Sequence, residues 1–290
     1  MPRALRLGLT LLLCGATALA AHALGASRER PYDLAILPRA AAMRWLSLGH
    51  ETLAANLMWL RVVQYIGEPR AEQRGWEKLH PAVDLVTDLD PRHGYAYQVA
   101  GVILGSVSRV PESNAILEKG FAALPGRYSL AVLRAFNAFY YQDDWATAGR
   151  WAEAAARAPG APAHLRQTVL AYYVKGNRAD AAIAFLEEAL RTAADPESKK
   201  AIEGQLKIAR YEAAAATIDE ALERYRAHRP LGPLWVERLV TDGYLPGLPR
   251  DPFGGRWEIG DDGRARSSAQ RSRYRRPTRL ELGPEPGLAR

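Results

Sequence analysis

The sequence has little cysteine and few histidines, and this limits the chemistry that it can carry. Its single cysteine, Cys14, lies in an apolar run near the N-terminus. One thiol excludes an intrachain disulfide and a cysteine-based zinc site. None of the six histidines stands four residues from another, and none pairs with a carboxylate at metal-ligand spacing. We therefore expect no bound metal.

Sequence motifs of the common enzyme classes are also missing. The chain contains no G-x-S-x-G elbow, no phosphate-binding P-loop and no dinucleotide-binding glycine fingerprint. The acidic pairs Asp143-Asp144 and Glu187-Glu188 are best interpreted as a loop and a solvated helix face. We predict that the protein is not an enzyme and uses neither a cofactor nor a small-molecule substrate.

Net positive charge is scarce outside the C-terminus. The formal net charge is +7, but residues Arg264 to Arg290 hold 8 arginines and 2 glutamates, which leaves about +1 for the rest. A nucleic-acid-binding domain would carry its basic residues on a folded face, so we expect no nucleic-acid partner. Residues 269–290 are rich in arginine and proline, and we predict a disordered basic tail there.

A long apolar run is present at the N-terminus. Arg3 and Arg6 precede Leu7–Ala26, a combination typical of an export signal. Residues 1–30 are either a cleaved signal peptide, with Ala21-His22-Ala23 as its processing site, or an uncleaved signal anchor. We favour the anchor, because a nearly apolar run of 20 residues suits a bilayer span. The basic end should stay in the cytoplasm, which predicts a single-pass protein of the bacterial inner membrane with its bulk in the periplasm.

Regularly spaced prolines indicate a repeat over residues 50–230. Their separations are 34, 34, 37 and 34 residues, and each closes an Ala-rich or Leu-rich segment. A 34-residue period closed by proline is the signature of a helix–turn–helix solenoid. The fold class predicted is therefore all-α. The five prolines are Pro91, Pro125, Pro159, Pro196 and Pro230.

Apolar periodicity places the helices within this region. The linker covers residues 31–49, within which Ala40–Gly49 could form a short helix. His50–Ile66 is apolar nearly all round, which predicts burial on more than one face. Glu72–Leu89 follows, with a kink or restart expected at Pro81. Glu197–Tyr225 lacks a turn signal and could be two helices or one. The helices predicted between them are Tyr95–Ser106, Glu112–Leu124, Ser129–Tyr141, Trp145–Ala158, Ala163–Lys175 and Asp180–Ala193.

Residues in these repeats resemble the tetratricopeptide repeat family. Gly101 falls at the family's helix-packing glycine, and Trp151 with Ala154 fits its aromatic and following alanine. Tyr172, Gly176, Ala181 and Phe185 match the spacing of the family's tyrosine, turn glycine, alanine and phenylalanine. The resemblance implies a right-handed α-solenoid of four to five helix pairs.

The resemblance also implies a concave groove lined by the first helix of each pair. Carboxylate-binding members of the family carry Lys, Asn and Arg there, whereas this sequence carries mostly aromatics. Such a groove suits an apolar helix or an extended peptide, so we expect a protein or peptide partner. An alternative places Phe136 and Phe139 in the core. The groove positions implied are Tyr95, Gln98, Phe136, Phe139, Arg166 and Tyr173.

The pattern changes over residues 231–268, where we predict a small capping module. Leu234–Val240 should form a short helix, and Asp251–Gly255 a turn in which proline and glycine set the backbone. Arg256–Ile259 alternates as a strand, and the loop Gly260–Gly263 should return the chain as a β-hairpin over residues 264–268.

This segment resembles the C-terminal β-motif of type II secretion major pseudopilins. The residues that carry the likeness run from Leu248 through Asp251-Pro252-Phe253-Gly254 to Trp257, and then Asp262-Gly263 and Ser267. The family's calcium loop needs several acidic oxygens, and only Asp251, Asp261 and Asp262 are close. The pseudopilin N-terminus is absent.

Two functional hypotheses follow from the sequence. The first is a membrane-tethered scaffold that mediates protein–protein interaction during secretion, pilus or envelope assembly. The alternative is a permanently assembled accessory subunit of a membrane protein complex. The first predicts a soluble, folded domain when residues 1–30 are deleted, whereas the alternative predicts that this domain aggregates without its partner subunits.

Overall fold

A computed structural model describes most of the chain between Leu34 and Tyr274. Contacts divide the chain into two units, Met1–Leu89 and Asp90–Arg290. The part described is mostly helical, with one two-stranded sheet near the C-terminus, which confirms the all-α class. The described residues are 15–17, 34, 37–68, 75–228 and 235–274.

Three helices of the first unit have both ends within its described part. They are α1 (Ala40–Ser47), α2 (Glu51–Gly67) and α3 (Leu79–Leu89), and each contacts the other two. Pro81 stands in the first turn of α3, where its missing N–H has no intrahelical partner to lose. The helix starts at Leu79, close to the restart expected at Pro81. The predicted helix from Glu72 is wrong over residues 75–78, which are not helical.

Burial of α2 differs from the sequence prediction. Its buried residues, Ala55, Met58, Val62 and Tyr65, follow helical spacing and form one face. The leucines on the other side are exposed. The prediction of burial on more than one face was therefore wrong for the residues that the structure describes, because apolar composition does not show what covers each side.

The second unit begins with six helices of similar length. Each predicted boundary agrees with the structure to within two residues. Every one of these helices contacts the next in the chain, and α4 also contacts α6. The six are α4 (Gly94–Ser106), α5 (Val110–Ala123), α6 (Tyr128–Gln142), α7 (Trp145–Arg157), α8 (Leu165–Lys175) and α9 (Ala179–Thr192).

A single long helix, α10 (Pro196–His228), follows them. Its 33 residues extend about 50 Å at 1.5 Å per residue. Pro196 occupies the first helical position, and the Asp195 carboxylate accepts the Ser198 N–H at 2.7 Å, so both residues favour a helix start. The structure thus decides between the two sequence alternatives in favour of one helix.

Glycines allow α4 and α5 to pack closely. A Cβ placed on Gly101 would lie 2.5 Å from Leu117 Cδ2, and one on Gly120 would lie 2.6 Å from Tyr97 Cγ. Tyr97 and Leu117 are fully buried. Each helix therefore inserts a large side chain into the position where the other has none.

Polar side chains are buried between α4, α5 and α6. Asn137 donates through Nδ2 to Ser113 Oγ at 2.7 Å and to Asn114 Oδ1 at 2.9 Å. Ser113 donates in turn to the Gly101 carbonyl at 2.6 Å. Because buried polar groups are costly unless paired, this network fixes the relative position of the three helices.

Gly120→Ala should lower the free energy of unfolding by about 1–3 kcal/mol, because the new methyl group has no space beside the Tyr97 ring. Gly204→Ala is the matched control, since Gly204 lies within α10 with nothing near its missing side chain. That control should stabilise by about 0.5–1 kcal/mol. Urea denaturation measures both, and equal effects would contradict close packing at Gly120.

A small module covers part of α10. It contains α11 (Arg238–Thr241) and an antiparallel hairpin of β1 (Trp257–Ile259) and β2 (Ala265–Ser267), with Trp257 opposite Ser267. The short helix starts four residues later than predicted, while the strands and their loop lie where expected. Trp257 stacks on Tyr211 of α10 with ring centroids 5.6 Å apart.

Asp251 organises the turn before β1. Its carboxylate accepts the N–H groups of Phe253 at 2.9 Å and Gly255 at 2.6 Å, and the Ser267 hydroxyl at 2.6 Å. Asp251 is buried, so these bonds replace the water that the charge has lost. The predicted turn over Asp251–Gly255 is thereby tied to β2.

The chain after β2 is held on α10 by a buried ion cluster. Arg273 donates from Nε to Glu212 at 3.0 Å, and from Nη1 to Asp219 at 2.8 Å and to the Ala265 carbonyl at 2.6 Å. The Tyr274 N–H reaches Glu212 at 2.8 Å. The predicted disordered tail therefore does not begin at Ala269, and its remainder, residues 275–290, lies outside the described residues.

Arg273→Ala should lower the free energy of unfolding by about 3–5 kcal/mol, because it leaves the buried Glu212 carboxylate without its cation. Arg271→Ala, at an exposed arginine two residues earlier, is the control and should change stability by less than about 0.5 kcal/mol. Urea denaturation compares them. Similar small losses from both variants would show that the segment is not anchored by Arg273.

Of the described residues, none belongs to a helix with both the length and the apolar character needed to cross a bilayer. The predicted anchor Leu7–Ala26 lies outside the described residues except for Gly15–Thr17, which are helical.

Candidate protein-binding surface

Aromatic side chains form a continuous cluster on α6 and its neighbours. Phe136 stacks on Tyr140 with centroids 4.9 Å apart and meets Phe139 edge-on at 5.2 Å. Phe139 extends the contacts to Trp145 at 5.2 Å and Tyr172 at 5.1 Å. The aromatic cluster comprises Phe136, Phe139, Tyr140, Tyr141, Trp145 and Tyr172.

Local structure positions the cluster at the α6–α7 turn. Asp143 adopts a left-handed backbone with φ of 50°, which ends α6 and which aspartate tolerates. Asp144 then caps α7 by accepting the Thr147 N–H at 2.9 Å. Asp143 also accepts the Trp145 indole N–H at 2.6 Å. The Trp145 ring is thus fixed beside Phe139.

Part of the cluster remains accessible to solvent. Phe136 is 39% exposed although it contacts three other rings. On α4, Tyr95 is 59% and Val102 50% exposed, and they are seven residues apart with Gln98 between them on the same side of the helix. Two helices that contact each other therefore both present apolar side chains to solvent.

Burial changes the ionisation of groups in and beside the cluster. It raises the pKa of Tyr172 to about 12. Burial, followed by the charge of Tyr140, raises the pKa of Tyr141. The Lys175 ammonium lies 4.8 Å from the Trp145 ring centroid, and burial lowers the pKa of this lysine. At neutral pH the rings stay uncharged, which suits contact with apolar side chains.

The residues predicted to line the groove lie in three places: on α4 and α6, in the core between α7 and α8, and beside a separate cavity. Tyr95, Gln98, Phe136 and Phe139 lie on α4 and α6, where Tyr95 and Phe136 are exposed and the other two are half-buried. Phe139 contacts Phe136, Trp145 and Tyr172. The alternative that places Phe136 and Phe139 in the core is wrong, because Phe136 is exposed and Phe139 is only half-buried.

Tyr173 and Arg166 lie elsewhere. Tyr173 is 4% exposed, and a Cβ on Gly149 would meet its ring, so it belongs to the core between α7 and α8. Its hydroxyl donates to Glu153, and burial, then this bond, raises the pKa of Tyr173. Arg166 lines a separate cavity of about 320 Å³ beside Phe185 and Glu188.

Sequence reasoning missed several members of the surface. Tyr140, Trp145, Tyr172 and Val102 were not predicted, because the family's spacing selects only a few positions on the first helix of each pair and none on α7, where Trp145 lies. The high density of aromatic residues from Phe136 to Trp145 was the available signal.

The described residues contain no group of three or more His, Cys, Asp or Glu side chains placed to hold a metal ion. The aromatic cluster consists of ring faces and edges, with the Lys175 ammonium beside the Trp145 ring. Such a surface can bind apolar side chains or a proline-containing strand.

No family model, curated protein or solved structure matches the chain. The likeness to tetratricopeptide repeats and to pseudopilins rests on the residues alone.

An alkaline titration tests the environment of Tyr172. Its folded pKa lies above the ordinary value of 10.0, so the unfolded chain loses this proton first and stability falls as the pH rises from 10 towards 12. Tyr172→Phe should remove one late phenolate from the native absorbance titration and make the fall in unfolding free energy less steep. Loss of a phenolate that titrates near pH 10, with the late phenolates unchanged, would show that Tyr172 is solvated.

Proposed function

We propose that this protein is a non-enzymatic scaffold, tethered to the bacterial inner membrane, that binds another polypeptide on the periplasmic side. The observation that carries the proposal is the partly exposed aromatic surface of α4 and α6. Covering a large apolar side chain contributes on the order of 1 kcal/mol or more. A partner that contacts Tyr95, Val102 and Phe136 together would therefore gain useful affinity from apolar contact alone.

The fold proposed for this scaffold is a right-handed, tetratricopeptide-like solenoid of four to five helix pairs. Its support is the 34-residue proline spacing and the way in which each helix from α4 to α10 contacts the next. Contacts between α4 and α6, and between α8 and α10, add the next-but-one packing expected when pairs stack. In such a stack the first helices of the pairs share one surface.

The tether and the location are proposed from the N-terminal sequence. Leu7–Ala26 is long enough to span a bilayer, and Arg3 and Arg6 precede it. A role in secretion, pilus or envelope assembly is proposed from the resemblance of the C-terminal module to pseudopilins.

Purification of the full-length protein in mild detergent tests the scaffold. The double variant Tyr95→Ser and Phe136→Ser should lose a polypeptide that co-purifies with the wild type, because both changes remove exposed ring surface. Trp235→Ser is the control, since Trp235 is a similarly exposed aromatic in the C-terminal module. Circular dichroism should show that all three proteins keep the same helix content.

The same experiment separates the scaffold from a permanent subunit. A scaffold should release its partner on dilution, whereas a permanently assembled accessory subunit would co-purify with partners at fixed stoichiometry in the double variant too. Loss of the co-purifying polypeptide from the Trp235→Ser control as well would contradict binding at the α4–α6 surface.

A further inference from the structure

The first unit exposes a row of leucines on α2. Leu53, Leu57 and Leu60 follow the i, i+4, i+7 spacing of one helix face, opposite the buried face that packs on α3. All three are exposed, with Leu57 at 56%. Asn56 and Arg61 flank the row, and Gln64 continues it. This leucine row is therefore an apolar strip with polar edges.

The short helix α1 is also unusually uncovered. It reads AAAMRWLS, yet no residue from Ala40 to Ser47 is buried by the part of the chain that the structure describes. Trp45 is 77% exposed, and Leu48, just after the helix, is 83% exposed. So many large apolar side chains in one small region mark a contact surface for something outside the unit.

Residue types in this region match the bilayer interface. Tryptophan is enriched at the headgroup level, where its ring is amphipathic, and helices that lie on membranes combine Trp or Leu with basic residues. Arg39 precedes α1 and Arg61 borders the leucine row, and both are exposed. Their charges can meet anionic headgroups while the leucines enter the acyl boundary.

The length of the chain places a bilayer within reach. Only residues 27–39 separate the proposed anchor from α1, and 13 residues extend at most about 45 Å. In the proposed tether, this stretch starts at the membrane surface. Lipid is therefore present at high local concentration beside α1 and α2. A soluble partner protein would not be concentrated there in this way.

We infer that α1 and the leucine row of α2 dock on the surface of the phospholipid bilayer, with Trp45, Leu53, Leu57 and Leu60 inserted at the interface. The inference rests on the proposed membrane tether. It adds a second attachment, which fixes the orientation of the first unit against the membrane. Interfacial helices bury their apolar face about 5–10 Å into the headgroup and acyl boundary.

The unique cysteine makes a direct test possible. Wild-type protein labelled at Cys14 with an environment-sensitive fluorophore reports on the proposed anchor, because Cys14 lies near the middle of the apolar run. A Cys14→Ser, Leu57→Cys protein labelled at its new thiol reports on the leucine row. Each full-length protein is reconstituted into vesicles of zwitterionic and anionic phospholipids that carry a quencher at either a shallow or a deep acyl position.

The expected result is deep quenching at Cys14 and shallow quenching with a blue-shifted emission at Leu57→Cys. A Cys14→Ser, Lys200→Cys protein, labelled on an exposed residue of α10, is the control and should show neither quenching nor a blue shift. Leu53→Ser combined with Leu60→Ser should reduce shallow quenching at Leu57→Cys and leave quenching at Cys14 unchanged.

Each of the other outcomes overturns either the docking or the tether. Quenching at Cys14 without quenching at Leu57→Cys would overturn the docking and leave the tether intact. A blue shift at Leu57→Cys without quenching by any lipid would mean that a protein, such as a second copy of the chain, covers the row, which also overturns the inference. Loss of quenching at Cys14 would overturn the proposed tether itself.

Discussion

Close packing of neighbouring helices is the constraint on which the second unit depends. Gly101 and Gly120 leave room for Leu117 and Tyr97, and Gly149 leaves room for Tyr173. The van der Waals gain from such contacts falls steeply with distance, so a helix that moved away by one methyl group would lose much of it. The order of the helices in space is therefore fixed locally, pair by pair.

This local packing determines which surfaces remain free. On α4, Ala96, Tyr97, Ala100 and Leu104 are buried, which leaves Tyr95 and Val102 on the opposite side. On α6, the buried Asn137 is bonded to α5, so the helix cannot rotate to hide Phe136. The exposed aromatic surface is thus a consequence of the helix packing and of the polar network. An apolar partner would cover these exposed side chains.

Much of the helical arrangement could be predicted from the sequence, because helix starts and stops depend on nearby residues. Prolines, glycines and apolar periodicity located α4 to α9 closely. Exposure could not be predicted in the same way, since it depends on distant residues: Tyr173 became core because Gly149 of α7 has no side chain. Likewise, the sequence of α2 does not show that its leucine row is exposed, because this depends on which other elements pack against that face.

The end of the chain shows a second limit of sequence reasoning. An Arg-rich and Pro-rich composition predicts disorder. Arg273 nevertheless forms ion pairs with Glu212 and Asp219, which lie more than fifty residues earlier in the sequence. A pairing of that kind has no local signature. Conversely, the turn at Asp251 was predictable, because aspartate, proline and glycine act on their own backbone.

Photo-crosslinking from the aromatic surface tests the central claim most directly. A photo-reactive phenylalanine analogue is placed at Phe136 of the protein in intact cells, and in a second protein at Trp235, which is similarly exposed but distant in the sequence. Binding at the α4–α6 surface predicts a discrete polypeptide adduct from position 136 and none from position 235. No adduct from either position, or the same adducts from both, would contradict it.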